Sequence, residues 1–107
     1  MRKTCLMLVV LAALLAGCAG EDREPAATII TMEGLSFGAP VSVAVGEPLT
    51  IRNADTVSHT WTAVDFSFNS SNISPGDDHT HTFDAAGEYP FFCEIHPTMS
   101  GSVTVTG

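Results

Sequence analysis

One thiol, one imidazole and one thioether recur at three-residue intervals in Cys93-Glu-Ile-His96-Pro-Thr-Met99, and strand-forming sequence flanks them on both sides. The aromatic run Tyr89-Pro-Phe-Phe precedes them, and Ser102-Val-Thr-Val-Thr106 follows with valine and threonine alternating. So short a connection between two strands must carry all three side chains to one end of whatever sheet those strands join. A further imidazole, His59, stands far upstream beside Thr60. Two imidazoles and a thiolate in a trigonal set, with a weak axial thioether, form the ligand set of a blue-copper electron-transfer site. His59, Cys93, His96 and Met99 are therefore the candidate metal ligands, for one copper ion.

The rest of the chain reads as strand and turn. Thr28–Met32 is a β-branched run, and in Val41–Val45 the valines keep a strict period of two. Gly46-Glu-Pro48 turns the chain into Leu49–Asn53, and Thr60–Val64 follows His59. The polar stretch Asp65–Gly76 reads as a long loop pinned by Phe66, Phe68 and Ile73, after which His79–Phe83, Glu88–Cys93 and Ser102–Thr106 complete the strands. No segment has helical periodicity and no repeat is visible, so the expected class is an all-β Greek-key sandwich of about seven to eight strands. Alternation puts Tyr89, Phe91 and Cys93 on one face, and His59, Trp61 and Ala63 on another. If those faces oppose each other, His59 and Cys93 meet at one end of the sandwich. His79 and His81 share a face with Phe83 and are expected to be partly buried structural residues. Phe92 and Pro97, beside the ligands, are expected to form an apolar docking patch.

The N-terminus belongs to export rather than to the fold. Met1-Arg2-Lys3 supplies a positive start, Cys5 to Leu15 is apolar but too short to span a bilayer, and Leu15-Ala16-Gly17-Cys18 places small residues before a cysteine. Residues 1–17 are expected to be a lipoprotein signal peptide, with Cys18 the lipid-attachment residue, 18–27 a flexible tether, and 28–107 the folded domain. Membrane contact would come through the lipid alone, at the cell membrane or the periplasmic face. Cys93 is then the only free thiol, in a compartment where disulfides are common, so it is either an inert buried thiol or a metal ligand.

Four basic residues face twelve carboxylates in the whole chain, and the leader removes two of the four. A nucleic-acid partner is excluded, because phosphate binding needs a basic face. The acidity fits a basic redox partner or a high-salt habitat. Nor is an enzyme expected. The chain lacks a G-x-S-x-G motif and a Gly-rich phosphate loop. With Cys5 in the leader and Cys18 given to the lipid, no second cysteine remains for a binuclear centre, and four protein ligands leave substrate no open position.

Gly87–Val105 resembles the ligand loop of the cupredoxins, with the short C-x₂-H-x₂-M spacing of amicyanins rather than the longer His-to-Met gap of plastocyanins. Leu49–Thr60 is similar to the first-histidine region of that family, and Ser74-Pro75-Gly76 through Asp84 to its intervening strands, so the likeness runs over Thr28–Val105. The resemblance implies a monomeric carrier of single electrons between protein redox partners, with His59 and His96 binding copper through their inner ring nitrogens. Copper delivery or sequestration without redox turnover is the alternative use of the same ligands, and a metal-free adhesion module is the third. One position departs from the family. An asparagine usually follows the first histidine and ties the two ligand loops together, whereas here Thr60 stands there, with fewer bonds to offer.

Overall fold

The computed structural model describes residues 27–107; the expected leader, Cys18 and nearly all of the tether lie outside the described residues. Among the described residues seven strands form where the sequence alternates: β1 (Thr28–Met32), β2 (Val41–Ala44), β3 (Pro48–Asn53), β4 (Thr62–Ala63), β5 (Asp78–Thr82), β6 (Gly87–Phe92) and β7 (Ser100–Thr106). They make two sheets, β1-β3-β5 and β2-β7-β6-β4. The chain switches sheet at every connection from β1 to β6, and only β6 and β7 follow each other within one sheet. β1 runs parallel to β3 and β2 to β7, while the remaining pairs are antiparallel. This is an all-β sandwich.

Inward residues of both sheets build one core. Ile30 and Met32 of β1 and Leu49 and Ile51 of β3 face Val43, Phe91, Val103 and Val105 from the other sheet, with Trp61 and Phe83 between them. Phe37 meets Phe91 edge-on at 4.8 Å, and Gly101 leaves room for that ring: a Cβ there would stand 2.9 Å from Phe91 Cε1. At the start of β6 the Tyr89 hydroxyl donates to the Ala85 carbonyl at 2.7 Å, tying the strand to the turn before it.

Four expectations change. The first concerns Thr60–Val64, which keeps only two strand residues because its backbone is shared between partners. His59 bridges Ile73 and Thr62 bridges Asn69 in the following loop, while Thr62 and Ala63 pair with β6. Residues 59–63 are consequently buried on both faces. Second, β4 and β6 are neighbours within one sheet rather than opposed layers, with Thr62 beside Phe92 and Ala63 beside Phe91. Third, β2 ends at Ala44. The turn closed by the Glu47 amide on the Ala44 carbonyl leaves Val45 exposed. Last, Phe66 does not pin its loop. Its φ of 62° turns it outward, 62% exposed, with its ring edge-on to Phe92. Of the three expected apolar pins, Phe68 and Ile73 pack that loop against the core.

Candidate metal centre

His59 reaches the site from the bridge it makes with Ile73. Its amide donates to the Ile73 carbonyl at 3.2 Å, and its own carbonyl accepts from Ile73 at 2.7 Å. The residue is fully buried. Nδ1 lies 3.7 Å from Cys93 Sγ, and Nε2 lies 2.8 Å from Asp55 Oδ2. The Leu35 amide, His59 and the Gly34 amide all bond the Asp55 carboxylate and hold its pKa below the usual value.

Cys93 follows the last residue of β6, so the alternation that buries Phe91 also turns its sulfur inward. The loop after it closes by backbone bonds: Cys93 N–H donates to the Met99 carbonyl at 3.0 Å, and Met99 N–H to the His96 carbonyl at 2.9 Å. That closure returns half-buried His96 over the sulfur, with Nδ1 at 3.8 Å from Sγ. Met99 is buried in the same apolar cluster as Cys93. The His59 and His96 rings stand 5.0 Å apart at 61°. Donor atoms of His59, Cys93 and His96 all fall within 4.8 Å of one another.

Charge at the sulfur follows from these contacts. Burial alone pushes the Cys93 thiol up. Contacts with the Thr60 amide, with the His59 and His96 rings and with the His96 backbone outweigh it and hold the pKa at about 6. A thiol that ionises this readily, beside two imidazole nitrogens, suits a thiophilic metal. Sulfur–nitrogen separations of 3.7 and 3.8 Å fit donors about 2.0–2.3 Å from a shared centre. The residues present fit copper.

Thr60 supplies more of the link between ligand loops than the sequence suggests. Its amide donates to Cys93 Sγ at 3.3 Å, and its hydroxyl accepts from the Glu94 amide at 2.8 Å. Asp55, by contrast, was visible only as an acidic residue four positions before a candidate ligand, a spacing that a tight loop can fold into contact. His79 and His81 lie elsewhere, on the core face of β5 against Trp61, with ring centroids 6.1 and 5.2 Å from it. Both are half-buried, and burial lowers the pKa of each. Beside the ligand loop, Phe92 is half-buried and Pro97 exposed.

The fold resembles several solved structures. A copper(I) form of an amicyanin variant superposes with a TM-score of 0.70 at 21% identity, covering 78% of this chain and 86% of that one. The oxidised state of another amicyanin variant gives 0.68 at 24% identity, over 74% of this chain and 81% of that one. A purple cupredoxin from Nitrosopumilus maritimus gives 0.63 at 26% identity, over 74% of this chain and 99% of that one. No curated protein matches the chain. The family model of the cupredoxin-like domain matches residues 5–105. With His59, Cys93, His96 and Met99 arranged as a type 1 copper site, the chain belongs to the cupredoxin-like domain family.

Proposed function

We propose that the protein carries single electrons between redox partners outside the cytoplasm, with His59, Cys93, His96 and Met99 as its copper ligands and a lipid on Cys18 holding it at a membrane. The convergence of two imidazoles and an easily ionised thiol within 4.8 Å carries the reading. Copper bound there supplies a one-electron change between Cu(II) and Cu(I).

The chain contributes fixed positions. Thr60 bonds both the sulfur and the backbone beyond it, and the Cys93–Met99 and Met99–His96 backbone bonds hold the loop closed. Donors held in this way change little between oxidation states, which favours fast exchange. The aromatic cluster of Trp61 and Phe91 keeps water from the inner side. On the outer side half-buried His96, bordered by exposed Ile95 and Pro97, offers the shortest way out to a partner. The lipid assignment is supported by the positive start, the short apolar run and the small residues before Cys18.

A visible spectrum of the oxidised, copper-loaded protein tests the carrier reading. An intense thiolate-to-copper band toward the red is expected, lost in Cys93→Ala and kept in Met99→Ala. A colourless protein that takes only Cu(I) would instead indicate delivery or sequestration. For the anchor, Cys18→Ser is expected to leave the protein soluble or unprocessed; wild type found wholly soluble with a free thiol at that position sinks the assignment.

A further inference from the structure

The ring of His59 has two nitrogens, and only one of them faces the sulfur. The other meets Asp55 Oδ2 at 2.8 Å. A carboxylate accepts hydrogen bonds and donates none. A contact of this length therefore places the ring proton on Nε2 and leaves the Nδ1 lone pair directed at the metal centre.

Asp55 is itself held from the opposite side. Oδ1 accepts the Gly34 amide at 2.9 Å, and Oδ2 accepts the Leu35 amide at 3.0 Å as well as the histidine. Gly34 and Leu35 both sit in the left-handed region, with φ of 63° and 58°. Leucine seldom adopts that conformation, and here it aims two successive amides at one carboxylate. Behind Asp55, buried Asn53 accepts the Asp55 amide at 2.9 Å and donates to the Val57 and Ile73 carbonyls. Ile73 is the residue whose backbone brackets His59. One carboxylate oxygen thus joins an exposed turn to a buried ligand ring.

We infer that Asp55 is a positioning residue for the copper site, fixing the His59 tautomer and, through its charge, holding the reduction potential down. The inference rests on the copper reading above. The side chain of His59 is 0% exposed and that of Asp55 14%, so water screens the charge poorly. A negative charge one imidazole away favours the more positive oxidation state of the metal, and the strong acceptor raises the basicity of the ligating nitrogen.

Two variants and two measurements test it. Long-range proton–nitrogen correlation spectra of the copper-free protein read which ring nitrogen of His59 bears hydrogen, and midpoint potentials read the charge. Wild type is expected to show an exchange-protected Nε2 proton. Asp55→Asn keeps an acceptor oxygen but no charge, so the proton stays protected while the potential rises. Asp55→Ala loses the protected proton and also raises the potential. A wild-type potential in Asp55→Asn overturns the charge role, and a protected Nε2 proton in Asp55→Ala overturns the positioning role. If wild type shows the protected proton but no coloured copper site, the metal reading fails while the tautomer assignment stands.

Discussion

Thr60 concentrates three demands in one small residue. Its amide must reach the Cys93 sulfur, its hydroxyl must accept from Glu94, and it must fit a fully packed position beside the Thr62 hydroxyl at 3.0 Å. Valine keeps the shape and the amide but removes the hydroxyl. The partly buried Glu94 amide then loses its partner, which typically costs about 1–3 kcal/mol. Thr60→Val should therefore lower the unfolding free energy of the copper-free protein by an amount in that range, read as a lower denaturant midpoint. Thr60→Asn, which restores an acceptor at the position, should recover part of the loss. Equal midpoints for wild type and Thr60→Val would mean that water satisfies Glu94 and that the cross-loop bond adds nothing.

The β6–β7 hairpin shows how an element constrains the site from a distance. Phe91 and Gly101 are directly paired across it, and the glycine is there for the ring. An added Cβ would lie 2.9 and 3.1 Å from Phe91 Cε1 and Cζ. Phe37 at 4.8 Å and Trp61 at 5.7 Å flank the ring. Overpacking of this kind costs about 1–3 kcal/mol. Gly101→Ala should lower the urea midpoint without changing the slope of the transition, and retain the copper colour. An unchanged midpoint would show that the hairpin twists enough to admit a methyl group. Most of this element was legible beforehand. Period-two alternation identifies Phe91, Val103 and Val105 as inward, and ligand spacing puts the loop at a sheet end. The sheet partner of β4 was not legible, because residues 59–63 are buried on both faces and alternation says nothing about a strand without an outer side. Neither was the outward turn of Phe66, which depends on a left-handed backbone that no phenylalanine announces. The ligand cluster could be read from residue types and spacing, whereas the Asp55 clasp needs the fold to bring Gly34 and Leu35 across.

Taken whole, the molecule keeps its metal ligands at one end and a second pair of histidines within its side. His79 and His81 pair with Ile51 and Leu49 of β3, and their rings pack on Trp61 from the edge strand of the smaller sheet. His81 also meets Phe68 at 5.0 Å and Phe83 at 4.6 Å. Burial lowers the pKa of both. At His81 the like charge of a protonated His79 lowers it further, and Asp84 partly opposes the shift. A depressed folded-state value means that the unfolded chain binds the proton first, so stability rises with pH across the window. The contribution is fully present above the ordinary value of 6.5 and is lost as pH falls through the folded values. Apart from Asp84, these aromatic neighbours offer no charge to compensate an imidazolium. His79→Phe/His81→Phe keeps apolar rings against Trp61 and removes both titrations. The measurement is unfolding free energy of the copper-free protein against pH, in wild type and the double variant, so that the common contribution of the Cys93 thiol cancels in the difference. Below pH 6.5 wild type should lose stability more steeply than the variant, while above it the two curves should run parallel. Parallel curves through the whole acid range would mean that the pair accepts protons in place, with the β5 edge opening enough to let water reach them.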